Sequence, residues 1–372
     1  MKYKVGFITL FVTVMGFAQF GIPNAVPRNT DGKGLSARPL FYVLDWKLGT
    51  QLREEPTELA IEVDSLGLQE VNALVDVDGT KVLYTSDIST PVCADGECRL
   101  MHIRLYWTLL GDYAGFDPYP HLPLTKYDHD EFRTSDYLKL HQLLMDDNSI
   151  LKRRKIDELV EKPKEPAMEG VDAVAGATIK EVKESVVDGA LYSCYTAWHL
   201  VHGPIKEAIL KRTKASLEEA TVLSMLNSNG PQYQMFALKK LDQDQYEENH
   251  DRIAEIFASA IPLVRSFIVK NLPDSFWQSQ EIQRPFWQNF STIDINSRSL
   301  LLNHLDKAPE AVVENLSQQM ASMTKNQLKL FLEYLEGSEK VNPRIKANLM
   351  AFSSADTETN AYLVAYFLED YE

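Results

Sequence analysis

The stretch VNALVDVDGTKVLYTSDI, residues 71–88, decides the fold of the N-terminal half of the chain. Ala73, Val75 and Val77 alternate with other residues, and Val82 and Tyr84 continue the pattern on the return. Between them stands the pair Asp78-Gly79. An Asp-Gly pair between two alternating runs is a strong signal for a tight turn. We therefore expect a β-hairpin here.

Strand and helix patterns surround this hairpin. A short apolar run starts at Leu40, ELAIEVDSL alternates weakly, and RLMHIRLYWTLLGDYAGFD gives two strand-like pieces around Gly111-Asp112. A helix is expected in DYLKLHQLLMDD, with Tyr137, Leu140, Leu144 and Met145 on one apolar face. Residues 40–214 are therefore predicted to form an α+β domain.

The remainder of the chain, residues 215–372, shows no convincing strand. Amphipathic helical spacing occurs in seven segments: SLEEATVLSMLNS, PQYQMFALKKLDQ, HDRIAEIFASAIPLVRSFIVKNL, INSRSLLLNHLDK, APEAVVENLSQQMASM, TKNQLKLFLEYLEGS and NPRIKANLMAF. Short helices broken by Asn, Gly, Pro and Asp recur in pairs about every 35 to 45 residues, which indicates an all-α helical-repeat domain of the HEAT type. An irregular helical bundle is the alternative. This half offers no cluster of reactive side chains, so we expect a scaffold or docking surface.

The first residues predict export. Lys2 and Lys4 precede an uncharged, mostly apolar run to Phe17 that has the length of a signal-peptide core. We expect a signal peptide over residues 1–18 and a flexible lead-in over residues 19–39. A buried N-terminal helix and an uncleaved anchor are the alternatives for the apolar run. The mature protein would be periplasmic or envelope-associated, with no transmembrane segment after the signal peptide.

The composition excludes some functions. A net charge of −15 argues against a nucleic-acid-binding protein, and 45% hydrophobic residues are typical of a globular chain. In an exported chain, Cys93 and Cys98 of PVCADGECR are expected to form a small disulfide loop. A metal site with His102 is the alternative, but a fourth ligand is not evident, and no metal is predicted. Cys194 is expected to be buried.

The segment VDAVAGATIKE, residues 171–181, is the clearest candidate for chemistry. Ala175, Gly176 and Ala177 are small enough for a backbone to approach a bulky group, and Thr178 follows them. Apolar residues then recur near a period of 3.6 as far as Trp198, which predicts one long helix. A helix start offers unpaired N–H groups to a phosphate, whereas the plainer alternative is a threonine that caps the helix.

The letters D-A-V-A-G-A-T, residues 172–178, resemble the flavinylation motif of FMN-binding domains. Such domains occur in one component of the sodium-pumping NADH:quinone reductase and in Rnf-type complexes. The resemblance implies that an FMN transferase joins FMN to Thr178 through a phosphoester bond. Gly176 and Ala177 would allow close backbone approach, and Asp172 would hold the turn or help the transferase to bind. Ala175 departs from the hydroxyl residue that is usual there.

The resemblance implies an FMN-binding-like α+β domain and an electron-transfer role. We expect an exported flavoprotein that relays electrons to or from a redox protein or envelope complex, rather than a substrate-specific enzyme. The alternative is an interaction scaffold without flavin, in which the helical-repeat domain does the work. A weaker third possibility is a hydrolase that uses Asp128 and His129, although no nucleophile accompanies them.

A flavin ring needs an apolar, aromatic pocket. The candidate wall consists of Tyr106, Trp107, Tyr192, Tyr195 and Trp198, and ordinary core packing is the alternative for each of them. The histidines His199 and His202 could donate to the ring or only bind carbonyl groups.

Overall fold

The computed structural model describes residues 41–42, 51–63, 66–92, 99–119, 121–127, 129–161, 177–178, 180–338 and 340–371. The chain divides into two compact units, unit 1 (Met1–Ser216) and unit 2 (Leu217–Glu372). The predicted signal peptide and lead-in lie outside the described residues. Within the described part of the chain, every helix is too short or too polar to cross a membrane.

Unit 1 contains a six-stranded antiparallel sheet with the strand order β1-β6-β5-β4-β3-β2. Its strands are β1 (Phe41–Tyr42), β2 (Arg53–Val63), β3 (Gly67–Val75), β4 (Lys81–Thr90), β5 (Met101–Trp107) and β6 (Tyr113–Pro118). Strands β2 to β6 therefore follow one another as a meander, and β1 pairs with the open edge of β6.

The hairpin predicted over residues 71–88 is confirmed as β3 and β4. The carboxylate of Asp76 closes the turn, because its Oδ1 accepts from the backbone N–H of Asp78 at 3.0 Å and of Thr80 at 2.8 Å. Val77, expected in the strand, instead lies in this turn and is 87% exposed. The alternation of letters continues past Asp76, but the Asp76 side chain ends the ladder at Val75.

Four helices and a second, two-stranded ladder complete the described part of unit 1. These elements are α1 (Thr134–Met145), β7 (Val160–Glu161), β8 (Ala177–Thr178), α2 (Lys180–Ser185), α3 (Leu191–His202) and α4 (Pro204–Ala215). Two 3-10 turns, Ile150–Arg153 and Ile156–Glu158, connect α1 to β7.

The main core of unit 1 lies between one face of the sheet and the helices. Every second residue of β5, such as Ile103, Leu105 and Trp107, is fully buried in this core. The indole Nε1 of Trp107 also donates to the carbonyl of Val201 on α3 at 3.0 Å. Burial of each large side chain of this kind stabilises the fold by about 1.5–3 kcal/mol. The sheet thus holds α3 in a fixed position.

Helix α1 forms where the sequence predicts it, with a shift of its buried face. Tyr137, Leu140 and Leu144 are buried as expected, but Met145 is 47% exposed and Leu143 is buried in its place. Met145 is rotated about 100° from Leu144 around the helix axis, away from the buried face, so its side chain reaches solvent.

The single long helix predicted after Thr178 is wrong, because α2 and α3 are separate. Gly189, between them, has φ +71°, a conformation that glycine adopts without strain. The Gly189 carbonyl accepts from the backbone N–H of Tyr127 at 2.7 Å. The loop that contains Tyr127 therefore contacts the chain between α2 and α3. The 3.6-residue periodicity of the sequence does not reveal this contact.

Unit 2 is all-helical in its described residues. Its α-helices are α5 (Glu219–Leu226), α6 (Pro231–Leu238), α7 (Gln243–Glu248), α8 (His250–Ser259), α9 (Pro262–Asn271), α10 (Asp274–Gln278), α11 (Gln280–Gln288), α12 (Ile295–Leu302), α13 (Glu310–Gln318), α14 (Lys325–Ser338), α15 (Pro343–Ser353) and α16 (Ala361–Tyr371).

These helices form two layers. In one layer α6, α9, α12, α14 and α16 pack in succession, and in the other α8 packs on α11 and α13 on α15. Members of the first layer begin at Pro231, Pro262, Ile295, Lys325 and Ala361, so they start about 30 to 36 residues apart. A repetitive helical region is therefore present, with a shorter spacing than the sequence suggested.

Buried polar side chains join neighbouring helices of unit 2. The amide of Gln327 on α14 donates to the carbonyl of Ile295 at 2.8 Å and to Ser299 Oγ at 2.9 Å on α12. Arg265 on α9 bonds the carbonyl of Phe257 on α8 at 2.8 Å. Such bonds from side chains to a neighbouring helix fix the position of one helix along the next.

Candidate functional site

The backbone of Thr178 lies in the short ladder of β7 and β8. Thr178 is paired with Val160, and Ala177 with Glu161. Helix α2 begins at Lys180, two residues after Thr178. The other two predicted cofactor-binding residues, Asp172 and Gly176, lie outside the described residues.

The chain that leads into β7 is held by side chains of α3. The indole Nε1 of Trp198 donates to the carbonyl of Asp146 at 2.8 Å, His199 Nε2 lies 3.2 Å from the carbonyl of Leu151, and His202 Nε2 lies 3.0 Å from that of Leu144. Three ring N–H groups of one helix therefore bind carbonyls over the end of α1 and the first 3-10 turn.

These three rings and Tyr195 form a row, which we call the α3 ring row (Tyr195, Trp198, His199 and His202). The ring centres of Tyr195 and His199 lie 4.2 Å apart, and those of Trp198 and His202 lie 4.6 Å apart. Each ring contact at such a distance stabilises the fold by about 0.5–1.5 kcal/mol beyond the contribution of the buried area. The row therefore attaches α3 to the segment that leads into β7.

Both histidines of the α3 ring row are neutral at pH 7. Burial lowers the pKa of His199 and of His202, and the carbonyl that each ring binds only partly opposes this effect. Because a carbonyl oxygen only accepts, each ring carries its hydrogen on Nε2. The histidines thus bind carbonyl groups, the plainer of the two roles considered from the sequence. Buried Nδ1 of His202 has no hydrogen-bond partner among the described residues.

The structure does not gather the five predicted aromatic side chains into one wall. Tyr106 and Trp107 are neighbours on β5, so they lie on opposite faces of the sheet. Trp107 is fully buried in the core, and Tyr106 Oη donates to Asp117 at 2.7 Å on the other face. Trp198 is 3% exposed and bonded to Asp146. Trp107 and Trp198 therefore follow the alternative, core packing, and the prediction of one wall is wrong because strand alternation separates Tyr106 from Trp107.

Tyr192 and Tyr195 are the predicted aromatic residues that stay partly exposed. Both lie on α3. Burial is the largest cause that raises the pKa of each phenol, and the charge of Asp157 raises it further, which indicates that both rings lie near the 3-10 turn Ile156–Glu158. A hydrogen bond from the backbone of Ile156 to Tyr195 acts in the opposite direction. This turn contacts β7, the partner strand of Thr178. These two rings therefore lie near the turn that leads into β7.

His129 is the described member of the Asp128–His129 pair, and Asp128 lies outside the described residues. His129 is exposed and has φ +62°, which is a strained conformation for a residue with a side chain. It ends a tight turn in which its N–H bonds the Lys126 carbonyl at 3.0 Å. The backbone geometry explains this residue as part of a turn.

The sequence did not predict the buried polar network around Arg104. Arg104 on β5 is 3% exposed, forms an ion pair with Glu54, and donates from Nε to Thr85 Oγ1 at 3.1 Å. Burial acts to lower the pKa of Arg104, but Tyr106, Asp87 and Glu54 outweigh it and raise this pKa. An arginine inside the alternating run HIRLYW was the available signal. The network is fully bonded, so it stabilises the outer face of the sheet rather than offering a free cation.

The structure describes one of the three cysteines. Cys93 and Cys98 lie outside the described residues, so their disulfide stays a prediction. Cys194 is fully buried on α3, as expected, and burial raises the pKa of its thiol to about 12. Such a thiol is unreactive at neutral pH. Among the described residues, no group of three or more His, Cys, Asp or Glu side chains is arranged to hold a metal ion.

Two cavities lie in unit 2. One, of about 240 Å³, lies between α14 and α16, and the other, of about 380 Å³, lies between α12 and α14. They share Lys329 and Glu333 on α14. We call the depression between α14 and α16 the α14 groove.

Comparison of the chain with protein-family models, curated proteins and solved structures found no match.

Proposed function

We propose that this chain is an exported flavoprotein that carries FMN on Thr178 and relays electrons between envelope redox partners. The observation that supports it is the resemblance of residues 172–178 to a flavinylation motif, whose last residue lies in the β7–β8 ladder immediately before α2. The β7 strand is in turn joined to the segment that the α3 ring row holds.

In this proposal the protein supplies attachment and surroundings. Thr178 provides the hydroxyl for the phosphoester bond, and Tyr192 and Tyr195 offer partly exposed rings on the neighbouring face of α3. Bound FMN supplies one- and two-electron transfer. A cofactor held by its phosphate is not lost outside the cell, where no supply replaces it.

The test is co-expression of the full chain with an FMN transferase, followed by denaturation. We expect a fluorescent band and a mass increase equal to FMN less one water. Thr178→Ala should abolish both signals. Thr134→Ala, at the start of α1, is the matched control and should keep both. A colourless wild-type chain of unmodified mass would reject the proposal.

A docking scaffold is the second candidate function, and the α14 groove favours it. In this case unit 2 binds a partner protein, with or without a flavin in unit 1. The groove lies on helices of the repetitive layer, and stacked helical repeats commonly present extended binding surfaces.

A further inference from the structure

We propose that the α14 groove binds a cationic amphipathic helix of a partner protein. The inference rests on the docking function of unit 2 and does not depend on the flavin. It is carried by the shape of the groove, by its unpaired carboxylates and by two exposed tyrosines beside it.

The floor of the groove between α14 and α16 is apolar. Leu332 and Phe367 are 6% and 9% exposed, and Leu363 is partly exposed beside them. The lining residues of α14 extend from Lys329 to Glu336, which corresponds to about 10 Å, or two helical turns. A trough of this length and of about 240 Å³ accepts apolar side chains one turn apart on a partner helix.

The rim of the groove is acidic. Glu333, Glu336 and Asp370 line the α14–α16 trough with a single cation, Lys329. All four side chains are exposed, and within the described part of the chain none of them forms an ion pair. Three carboxylates against one ammonium group leave an excess negative charge. Lys and Arg side chains beside the apolar anchors of a partner would complement it.

The same junction already binds a cation within the chain. Lys325 Nζ on α14 lies 5.6 Å from the ring centre of Tyr362 on α16. Tyr366 contacts Tyr362 edge to face at 6.2 Å, and these rings are 62% and 43% exposed. Exposed tyrosines are frequent anchors of protein interfaces, and their faces attract ammonium and guanidinium groups. Because Lys325 already lies over the Tyr362 ring, Tyr366 is the ring that a cationic partner would contact.

The test uses the full chain and three fluorescein-labelled peptides of about 18 residues, with fluorescence anisotropy as the measurement. The first has Leu at helical positions i, i+4 and i+7 flanked by Lys. The second has Glu in place of every Lys. The third contains the residues of the first in scrambled order. We expect binding of the first peptide only, and weaker binding as NaCl rises from about 50 to about 300 mM.

Variants locate the binding surface. The double substitution Glu333→Gln and Glu336→Gln should weaken the first peptide about tenfold, and Tyr366→Ala about fivefold. The matched control is Glu248→Gln with Glu281→Gln, two exposed carboxylates of α7 and α11, which should leave binding unchanged. Thr178→Ala should also leave it unchanged. Circular dichroism checks that each variant is folded.

The outcomes separate this inference from the docking function itself. If the Glu peptide binds at the groove as tightly as the Lys peptide, a cationic partner is wrong and docking stands. If no peptide binds, both are rejected. Equal binding of the scrambled peptide, or equal weakening by the control substitutions, overturns the inference. Light scattering tests whether the occupant is a second copy of the chain. Dimers of the wild type that dissociate with Glu333→Gln and Glu336→Gln would show this and would also overturn the inference.

Discussion

The phenolic oxygen of Tyr113 lies 2.7 Å from Nδ1 of His141, which joins β6 to α1 inside unit 1. The other side of this imidazole bonds the backbone of Tyr42 on β1, and the ring of Phe41 stacks on Phe116 at 4.6 Å. Because His141 gives a hydrogen to the Tyr42 carbonyl, its Nδ1 accepts from Tyr113. This chain of bonds attaches β1 to the edge of the sheet.

Tyr113→Phe should destabilise unit 1 by about 1–2 kcal/mol, because it leaves the acceptor nitrogen of His141 unpaired inside the protein. The measurement is urea unfolding followed by circular dichroism. Tyr127→Phe is the matched control, since Tyr127 is 66% exposed, and we expect no change there. An equal effect of the two substitutions would contradict a role for this bond.

The stability of unit 1 should fall as the pH falls below about 6.5. Burial lowers the pKa of His141, His199 and His202 in the folded state, so the unfolded chain takes up protons first. Stability is therefore complete above the unfolded pKa and is lost as the pH decreases through the folded values. Urea midpoints at several pH values would show this slope.

His199→Gln should flatten that slope, because an amide can still donate to the Leu151 carbonyl but does not titrate. Gln142→Asn, at an exposed position of α1 that does not titrate, is the comparison and should keep the slope of the wild type. A steeper slope in His199→Gln would show that His199 shifts stability in the opposite direction.

Two glycines with similar backbone conformations should respond differently to alanine. Gly79 has φ +80° and open space around it, so Gly79→Ala should cost only the strain of the left-handed region, about 1–2 kcal/mol. Gly111 has φ +77°, and a Cβ there would stand 2.4 Å from the carbonyl oxygen of Lys206. Gly111→Ala must therefore also displace α4, and we expect a loss above about 3 kcal/mol. Thermal unfolding of the two variants compares them directly, and equal losses would rule out the contact with α4.

Gln283→Leu should destabilise unit 2 by about 2–4 kcal/mol. Gln283 is 1% exposed, donates to the carbonyls of Trp277 at 2.8 Å and Lys307 at 3.2 Å, and accepts from Trp287 Nε1 at 3.0 Å. Leucine leaves all three groups unpaired. Gln278→Leu, at an exposed position of α10, is the control for the loss of an amide. Unfolding free energies that differ by less than about 1 kcal/mol would contradict this account.

Local patterns predicted much of the sheet. The Asp78-Gly79 turn and the Gly111-Asp112 turn were visible in the letters, and so was the alternation of β3, β4 and β5. These features depend on neighbours in the chain, which a sequence displays directly. Val77 was misplaced because one side chain, Asp76, bonds the backbone of the turn and ends the strand early.

Helix boundaries and the candidate site were harder to predict. The break at Gly189 depends on a hydrogen bond from Tyr127, far away in the chain. Helices α7, α10, α11 and α16 were not predicted, although α11 carries two buried aromatic residues, Phe286 and Trp287. The aromatic wall failed at Tyr106 and Trp107 because adjacent residues of one strand face opposite sides of the sheet, which the strand prediction already implied. The burial of Trp198 involves Asp146, far away in the chain, and a sequence does not display such a contact.

Helix α3 cannot slide or turn without breaking bonds on two sides. Trp107 holds the carbonyl of Val201 from the sheet, while Trp198, His199 and His202 hold three carbonyls of the segment before β7. One inserted residue would rotate everything after it by about 100°, since a turn contains 3.6 residues. The number of residues along α3 thus fixes the distance between the sheet and the ladder that contains Thr178. Natural variants should tolerate substitutions in this helix far better than insertions or deletions.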